Sequence, residues 1–341
     1  MVPNRVETFS DEKEKISELI RKFSFGKERT LNVITMPYNT ATIFFASIMD
    51  SISRGKRVLY ITNEKEDNIE IVDYIKKNTS FRGYTYVRKG EIRAKSSLII
   101  SSHQNALELI DWFDLVIYDD IRALSRFNNC EIADMMLNKR KMDGKLICYS
   151  IEAIFQGERE VVLPISENNL PVVEPRVITT RIDVNKDIPY MIYEYLKWSM
   201  DLEKKVIIYA PNKEKVENVY AYLSYYKKRL SQNILKHTKD EQSVKTPLSF
   251  MKMKRAILVT DDWEEIKADY KNTHVMVYFA DDKAYDYKKL VFFCGKAGKG
   301  TDFDRGEVIL LTSEETDAIE KAKSITRSFN KEAWEKGLLR V

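Results

Sequence analysis

Glycine and proline are scarce in this chain. Eleven glycines and eight prolines in 341 residues exclude collagen-like and linker-dominated architectures. Cysteine is scarcer still. Cys130, Cys148 and Cys294 stand far apart and form no CxxC pair, so neither a zinc knuckle nor a thioredoxin-type redox pair is legible. The default role for such cysteines is that of small buried hydrophobes. No apolar run approaches the ~18 residues of a membrane span. Residues 1–10 are polar and lead into Asp11-Glu12-Lys13-Glu14, without the apolar stretch of a signal peptide. A cytoplasmic protein is expected, able to meet a membrane only through a partner. An excess of one charge is also missing. Lys and Arg total 56 and Asp and Glu 52, leaving +4, which permits a nucleic-acid partner without arguing for one.

What remains suits a globular protein. Hydrophobic residues make up 44% and charged residues 32%. At ~100–200 residues per domain, the length favours two domains. Short, β-branched apolar runs alternate with helical stretches. LNVIT (31–35), RVLYIT (57–62), SLIIS (97–101), LVIY (115–118) and KLICY (145–149) read as strands, with helices predicted over 40–54 and 68–77. Near-continuous apolar strands are those of a parallel sheet buried on both faces, and their alternation with helices implies right-handed βαβ crossovers. Residues 164–175 interrupt the pattern with Pro164, Pro171, Pro175 and the pair Asn168-Asn169, and read as a connection. A second alternation follows: strands at 205–209, 256–260, 274–279 and 307–311, and helices at 190–198, 213–226 and 313–327. Ser313 is the expected N-cap of the last helix. The predicted fold is α/β, with two tandem domains over 1–168 and 169–341, each a mostly parallel sheet flanked by helices.

In such sheets ligands bind beyond the carboxyl ends of the strands. Met36-Pro37-Tyr38-Asn39-Thr40 follows the first strand, and Ser102-His103-Gln104 follows 97–101. Asp119-Asp120-Ile121-Arg122 follows 115–118, and Asp261-Asp262-Trp263 follows Thr260. Gly295-Lys296-Ala297-Gly298-Lys299-Gly300 lies between the last two strands.

The order of these segments resembles the tandem RecA-like (P-loop NTPase-type) core of superfamily 2 helicases. More narrowly, it is similar to the ComFA family of competence DNA-uptake ATPases, over roughly Ser10 to Ala333. Three scaffold passages carry the likeness. Ser101-Ser102-His103-Gln104 with Trp112-Phe113-Asp114-Leu115-Val116-Ile117-Tyr118-Asp119-Asp120 resembles the family's TTHQLLRF…FDVMIIDE. Leu170-Pro171-Val172-Val173-Glu174-Pro175 resembles its PLPVP connector, and Gly306-Glu307-Val308-Ile309-Leu310-Leu311 its GEVIFL.

The same likeness exposes losses. A phosphate loop (Walker A) needs glycines, so that backbone N–H groups wrap the phosphates, and a lysine to neutralise them. Here Met36 and Tyr38 replace the glycines, Pro37 lacks an N–H, and Asn39 stands at the lysine position. Thr40 remains as the Mg²⁺-binding hydroxyl. The acidic motif (Walker B) is Asp119-Asp120, and Arg122 replaces its second acid. In the arginine-finger motif Lys296 and Lys299 stand for arginines, and lysine lacks the bidentate fork. Glu64 stands where the family places a backbone-contacting arginine. In the motif after Thr260, Asp261 and Asp262 face a nucleic-acid backbone, and Ile266-Lys267 replace Arg-Gly. The family's four-cysteine zinc module is absent.

The resemblance implies that Asp119, Asp120, Lys296 and Lys299 are relict catalytic positions. It makes Met36–Thr40 a degenerate nucleotide loop, and Ser102, His103, Gln104 and Thr260 nucleic-acid contacts. Asp119 and Thr40 would take Mg²⁺ only with a nucleotide. The expected protein has no bound cofactor and does not hydrolyse ATP. It binds single-stranded DNA or proteins of the DNA-uptake machinery. Two alternatives stand beside it: a divergent ATP- and Mg²⁺-dependent, DNA-stimulated motor, and a structural protein without nucleic-acid contact. Plainer roles stay open too. Asp119-Asp120 is then a capping turn, His103 a core histidine, and 295–300 a basic loop.

Overall fold

A computed structural model describes residues 8–167, 169–231, 233–241, 245–263, 272–297 and 305–339. The chain forms two units. One runs to Leu170 and includes the residues from Phe329 onward; the other is Pro171–Ser328. The division expected from sequence assigns the whole C-terminal stretch to the second domain. In the structure its end belongs with the first, where Lys336 Nζ lies 3.1 Å from Glu12 Oε1 and donates to the carbonyl of Val162 at 2.9 Å.

In the first unit the order is α1 (Phe9–Phe25), β1 (Thr30–Thr35), α2 (Phe45–Ser53), β2 (Val58–Thr62), α3 (Glu70–Asn78), β3 (Tyr84–Tyr86) and β4 (Leu98–Ser101). It continues with α4 (His103–Glu108), β5 (Phe113–Asp119), α5 (Asn129–Lys139), β6 (Arg140–Ser150) and β7 (Arg159–Leu163). The seven strands form one sheet in the order β3-β4-β2-β5-β6-β1-β7, with every pair parallel. Sequence pattern explains the elements. Thr8 and Asp11 close a capping box at the start of α1, and Ile16, Ile20 and Phe23 fall on its buried face. VLYIT in β2 is buried at every residue, as a central parallel strand requires. The helix predicted over 40–54 opens instead as a 3₁₀ turn, Ala41–Phe44, before α2.

The second unit holds β8 (Arg176–Thr179), α6 (Tyr190–Asp201), β9 (Lys205–Tyr209), α7 (Lys213–Tyr225), β10 (Ile234–His237), α8 (Lys245–Lys252) and β11 (Ala256–Thr260). It ends with β12 (Thr273–Tyr278), α9 (Tyr287–Ala297), β13 (Val308–Thr312) and the first part of α10 (Asp317–Glu335), whose residues from Phe329 onward belong to the first unit. Its six-stranded parallel sheet runs β10-β11-β9-β12-β13-β8. Gly306, which opens the scaffold passage at 306–311, has a steric reason to be glycine. A Cβ there would lie 1.9 Å from the backbone oxygen of Thr273.

Three expectations need correction. Ser313 does not cap the last helix. Its hydroxyl and N–H donate to Asp281, and α10 starts four residues later, with Thr316 Oγ1 accepting from Ile319 N–H at 3.4 Å. Gly295-Lys296-Ala297 is not loop but the last turn of α9, whose apolar run Leu290–Cys294 is buried. Cys148 and Cys294 are buried as expected, whereas Cys130 is exposed in the first turn of α5.

Candidate phosphate-loop site

The turn leaving β1 bends sharply, because Tyr38 sits at φ 64°, the left-handed region that glycine favours. Pro37 supplies no N–H, and the Tyr38 N–H donates to the carbonyl of Ile121 at 2.9 Å. Asn39 is 2% exposed and works as an internal strut. Its amide donates to Thr35 Oγ1 at 2.8 Å and to the Ile165 carbonyl at 2.9 Å. Its Oδ1 accepts the Thr40 N–H at 2.9 Å. The hydroxyl of Tyr149 ties down the Thr40 carbonyl at 2.8 Å. Met36 is buried.

Glu70 fills the mouth of this turn. It comes from the first residue of α3, and its carboxylate accepts Thr40 Oγ1–H at 2.9 Å and Ala41 N–H at 2.7 Å. These are a side-chain hydroxyl of the turn and the first N–H of the following helical turn. Such N–H groups favour an anion, and here the anion is a side chain of the same unit. Arg122 clamps it. Its Nη1 lies 3.1 Å from Glu70 Oε2, and its Nε 3.0 Å from Glu64 Oε2. Neighbouring carboxylates hold the Arg122 guanidinium firmly in its charged form, against the opposing effect of burial.

Asp119 lies beneath, with no exposed surface. One of its oxygens accepts the Tyr60 hydroxyl, the other the Ile121 N–H at 3.0 Å. Burial pushes its carboxyl upward, against those two bonds. Burial and the nearby Asp119 also raise Glu64, to about 7, against the pull of Arg122. Asp120 closes the next turn, accepting the Ser125 N–H at 2.7 Å. The structure thus brings Thr40, Asp119, Glu64, Glu70 and Arg122 together, with their hydrogen bonds made inside the unit.

The residues expected at a nucleic acid divide. Ser102 caps α4 by accepting the Asn105 N–H at 3.2 Å. His103 is 1% exposed, stacked 4.5 Å from Tyr118, and bonded through Nδ1 to Ser125 at 2.8 Å and Asn63 at 3.0 Å. Gln104 is exposed on α4. In the second unit Thr260 is buried and accepts the Asp262 N–H at 3.0 Å. Lys296 is also buried there, its ammonium bonded to the Trp263 carbonyl and 3.4 Å from the Tyr209 hydroxyl. Lys299, Gly298, Gly300, Ile266, Lys267 and Asn168 lie outside the described residues.

Glu70 is not among the sequence candidates. A lone glutamate opening a helix reads as an ordinary first-turn acid, and only the fold brings it to Thr40.

No protein-family model matches the chain, and no curated protein matches it. Solved structures do. S. cerevisiae Dbp5 bound to RNA and ADP BeF3 aligns with TM-score 0.56 and 12% identity, over 93% of this chain and 87% of Dbp5. RecG bound to a three-way DNA junction gives 0.53 and 14%, over 98% of this chain and 47% of RecG. The DUF1998 helicase MrfA bound to DNA gives 0.54 and 12%, over 94% and 51%. The fold, two α/β units each with a parallel sheet, is the tandem RecA-like fold of these structures. The chain spans about half the length of RecG and of MrfA and most of Dbp5. Among the described residues no helix is long and apolar enough to cross a membrane.

Proposed function

We propose that this is a helicase-fold protein that has left the ATPase cycle and acts by binding single-stranded DNA, in a role related to competence DNA uptake. The carrying observation is the Glu70 carboxylate on Thr40 Oγ1 and Ala41 N–H. A triphosphate does not fit this turn. Its phosphates would meet the Glu70 carboxylate, a group of like charge. Asn39 cannot neutralise phosphate charge, and its amide is spent on Thr35 and Ile165. Asp119 has both oxygens occupied by protein donors.

Three observations support the nucleic-acid part. The fold's neighbours include proteins solved on RNA or DNA. The scaffold passages resemble those of a DNA-uptake family. Gln104 stays exposed where that family meets the strand.

Calorimetry with ATP·Mg²⁺ tests the first half. No binding is expected, and a dissociation constant on the order of micromolar, or phosphate release stimulated by single-stranded DNA, returns the protein to the motors. Fluorescence anisotropy with single-stranded DNA across a salt series tests the second half. A steep fall of log affinity with log salt is expected of phosphate contacts. No binding at low salt leaves a structural protein.

A further inference from the structure

The amino edge of the first unit's sheet carries an exposed apolar patch, about 20 Å along β5 from Asp119. Trp112 is 62% exposed and Met142 82%, while Ile92, Leu107 and Ile110 are each about half exposed. These side chains come from separate segments brought together by the fold. Ile110 N–H donates to the Ile92 carbonyl at 3.0 Å. Trp112 immediately precedes Phe113, which pairs in register with Arg140, two residues before Met142. Large exposed apolar groups in one place mark an interaction surface, where scattered ones would not.

Beside the patch the 88–95 loop is mostly basic, while exposed Asp143, next to Met142, lies 3.7 Å from Arg29 Nη2. Residues 88–95 hold Arg88, Lys89, Arg93 and Lys95, all exposed, against Glu91 alone. The acids nearby accept backbone N–H groups. Glu91 accepts the Arg88 N–H at 2.9 Å, Glu108 the Gly90 N–H at 3.2 Å, and Asp111 the Ala94 N–H at 2.9 Å. Asp114 is bound by the Arg57 N–H and by Lys141. Among the described residues, none of the four loop cations forms a salt bridge.

We propose that this face docks an acidic amphipathic segment of a partner protein, its apolar side on Ile92, Leu107, Ile110 and Trp112 and its carboxylates on the 88–95 cations. The mixture of groups selects this occupant. A single strand needs successive aromatic platforms, and this patch offers one tryptophan among aliphatic side chains. A second copy meeting the patch two-fold would set the cations against themselves. A helix with apolar anchors on one side and acids on the other meets both features. The site is independent of the phosphate-loop reading, so either can fail alone.

Selection of ~16-residue peptides from a random display library against the full chain tests it. The enriched peptides are expected to be net acidic with apolar residues at helical spacing. Trp112→Ala should weaken them about tenfold or more, and Arg93→Glu should weaken them with a loss of salt dependence. Unchanged circular dichroism melts would show that both exposed substitutions leave the fold intact. Enriched peptides without acidic bias, or binding indifferent to Trp112→Ala, would overturn the proposal. So would single-stranded DNA affinity that falls with Trp112→Ala, which assigns the face to nucleic acid. A concentration-dependent dimer in sedimentation, abolished by the same change, would assign it to self-association.

Discussion

Glu70 and Thr40 are joined by a 2.9 Å hydrogen bond that sets a carboxylate at the mouth of the turn leaving β1. The same carboxylate takes the Ala41 N–H and the Arg122 guanidinium. Three opposite or donating partners make Glu70 an internal anion, held where a helix N-terminus would hold an external one.

If Glu70 occupies an anion position, removing it should open that position. Glu70→Ala is expected to cost about 1–2 kcal/mol, a figure discounted for the partial exposure of Glu70 and Arg122. In return, sulfate or pyrophosphate should raise the melting temperature of the variant and leave that of the wild type nearly unchanged. Thermal melts at matched ionic strength check this. Equal shifts in both proteins would mean that Glu70 shields no anion site.

On the proposed reading, a lysine at position 39 should not create a nucleotide site. Asn39 is buried and bonds Thr35, Ile165 and Thr40 through both ends of its amide. Asn39→Lys removes an acceptor, orphans the Thr40 N–H and drives an ammonium into a space shaped for an amide. Buried unpaired charge is among the most costly of substitutions. The expected loss is about 3 kcal/mol, read by urea unfolding, with no gain in ATP affinity by calorimetry.

The frame of the protein is legible in the sequence because parallel α/β strands announce themselves. LNVIT, KVIIY and AILVT are found as β1, β9 and β11 to within one residue. Elements without such a signal escape. β10 is a four-residue strand with two half-buried positions, and α9 carries a run, LVFFC, that reads as strand as easily as helix. At the site, both halves of one feature are visible in the sequence but nothing there joins them. Glu64 and Arg122 each differ from the pattern of the family that the sequence resembles, and each alone reads as a binding group given up. In the structure they are partners at 3.0 Å, so the two reversals form a single ion pair. Pairing across 58 residues becomes visible only when β2 and β5 lie side by side.

That ion pair gives the protein a distinctive pH dependence. Glu64 titrates at about 7 in the folded chain because burial, and then Asp119, disfavour its charge. Its ordinary value lies near 4.3, so between those two values the folded state holds a proton that the unfolded state has released. Stability therefore falls as pH rises from about 4.5 to 7, by up to about 3 kcal/mol. The upward-shifted Asp119 acts in the same direction. Melting temperatures should be higher at pH 5.5 than at pH 8. Glu64→Gln, which keeps an acceptor for Arg122, should flatten much of the slope. A slope that survives Glu64→Gln in full would move its origin to another group.

The last prediction concerns the scaffold passage at 306–311. At Gly306 an added Cβ would meet the Thr273 oxygen at 1.9 Å and its carbonyl carbon at 3.0 Å, with the Ala297 oxygen at 3.2 Å. All three are backbone atoms, so no flexible side chain can swing aside. β12 and β13 must separate instead, although they pair in register from Val275 and Val308 onward, and the Val275 N–H donates to the Glu307 carbonyl at 2.8 Å. Gly306→Ala is expected to cost about 3 kcal/mol, at the upper end for a single added methyl group. Hydrogen exchange would locate the damage. Amides of β12 and β13 should lose protection while those of β1 and β5, in the other unit, keep theirs. Even protection across both units would mean that the strands absorb the methyl group, and the glycine of this passage would then need another explanation.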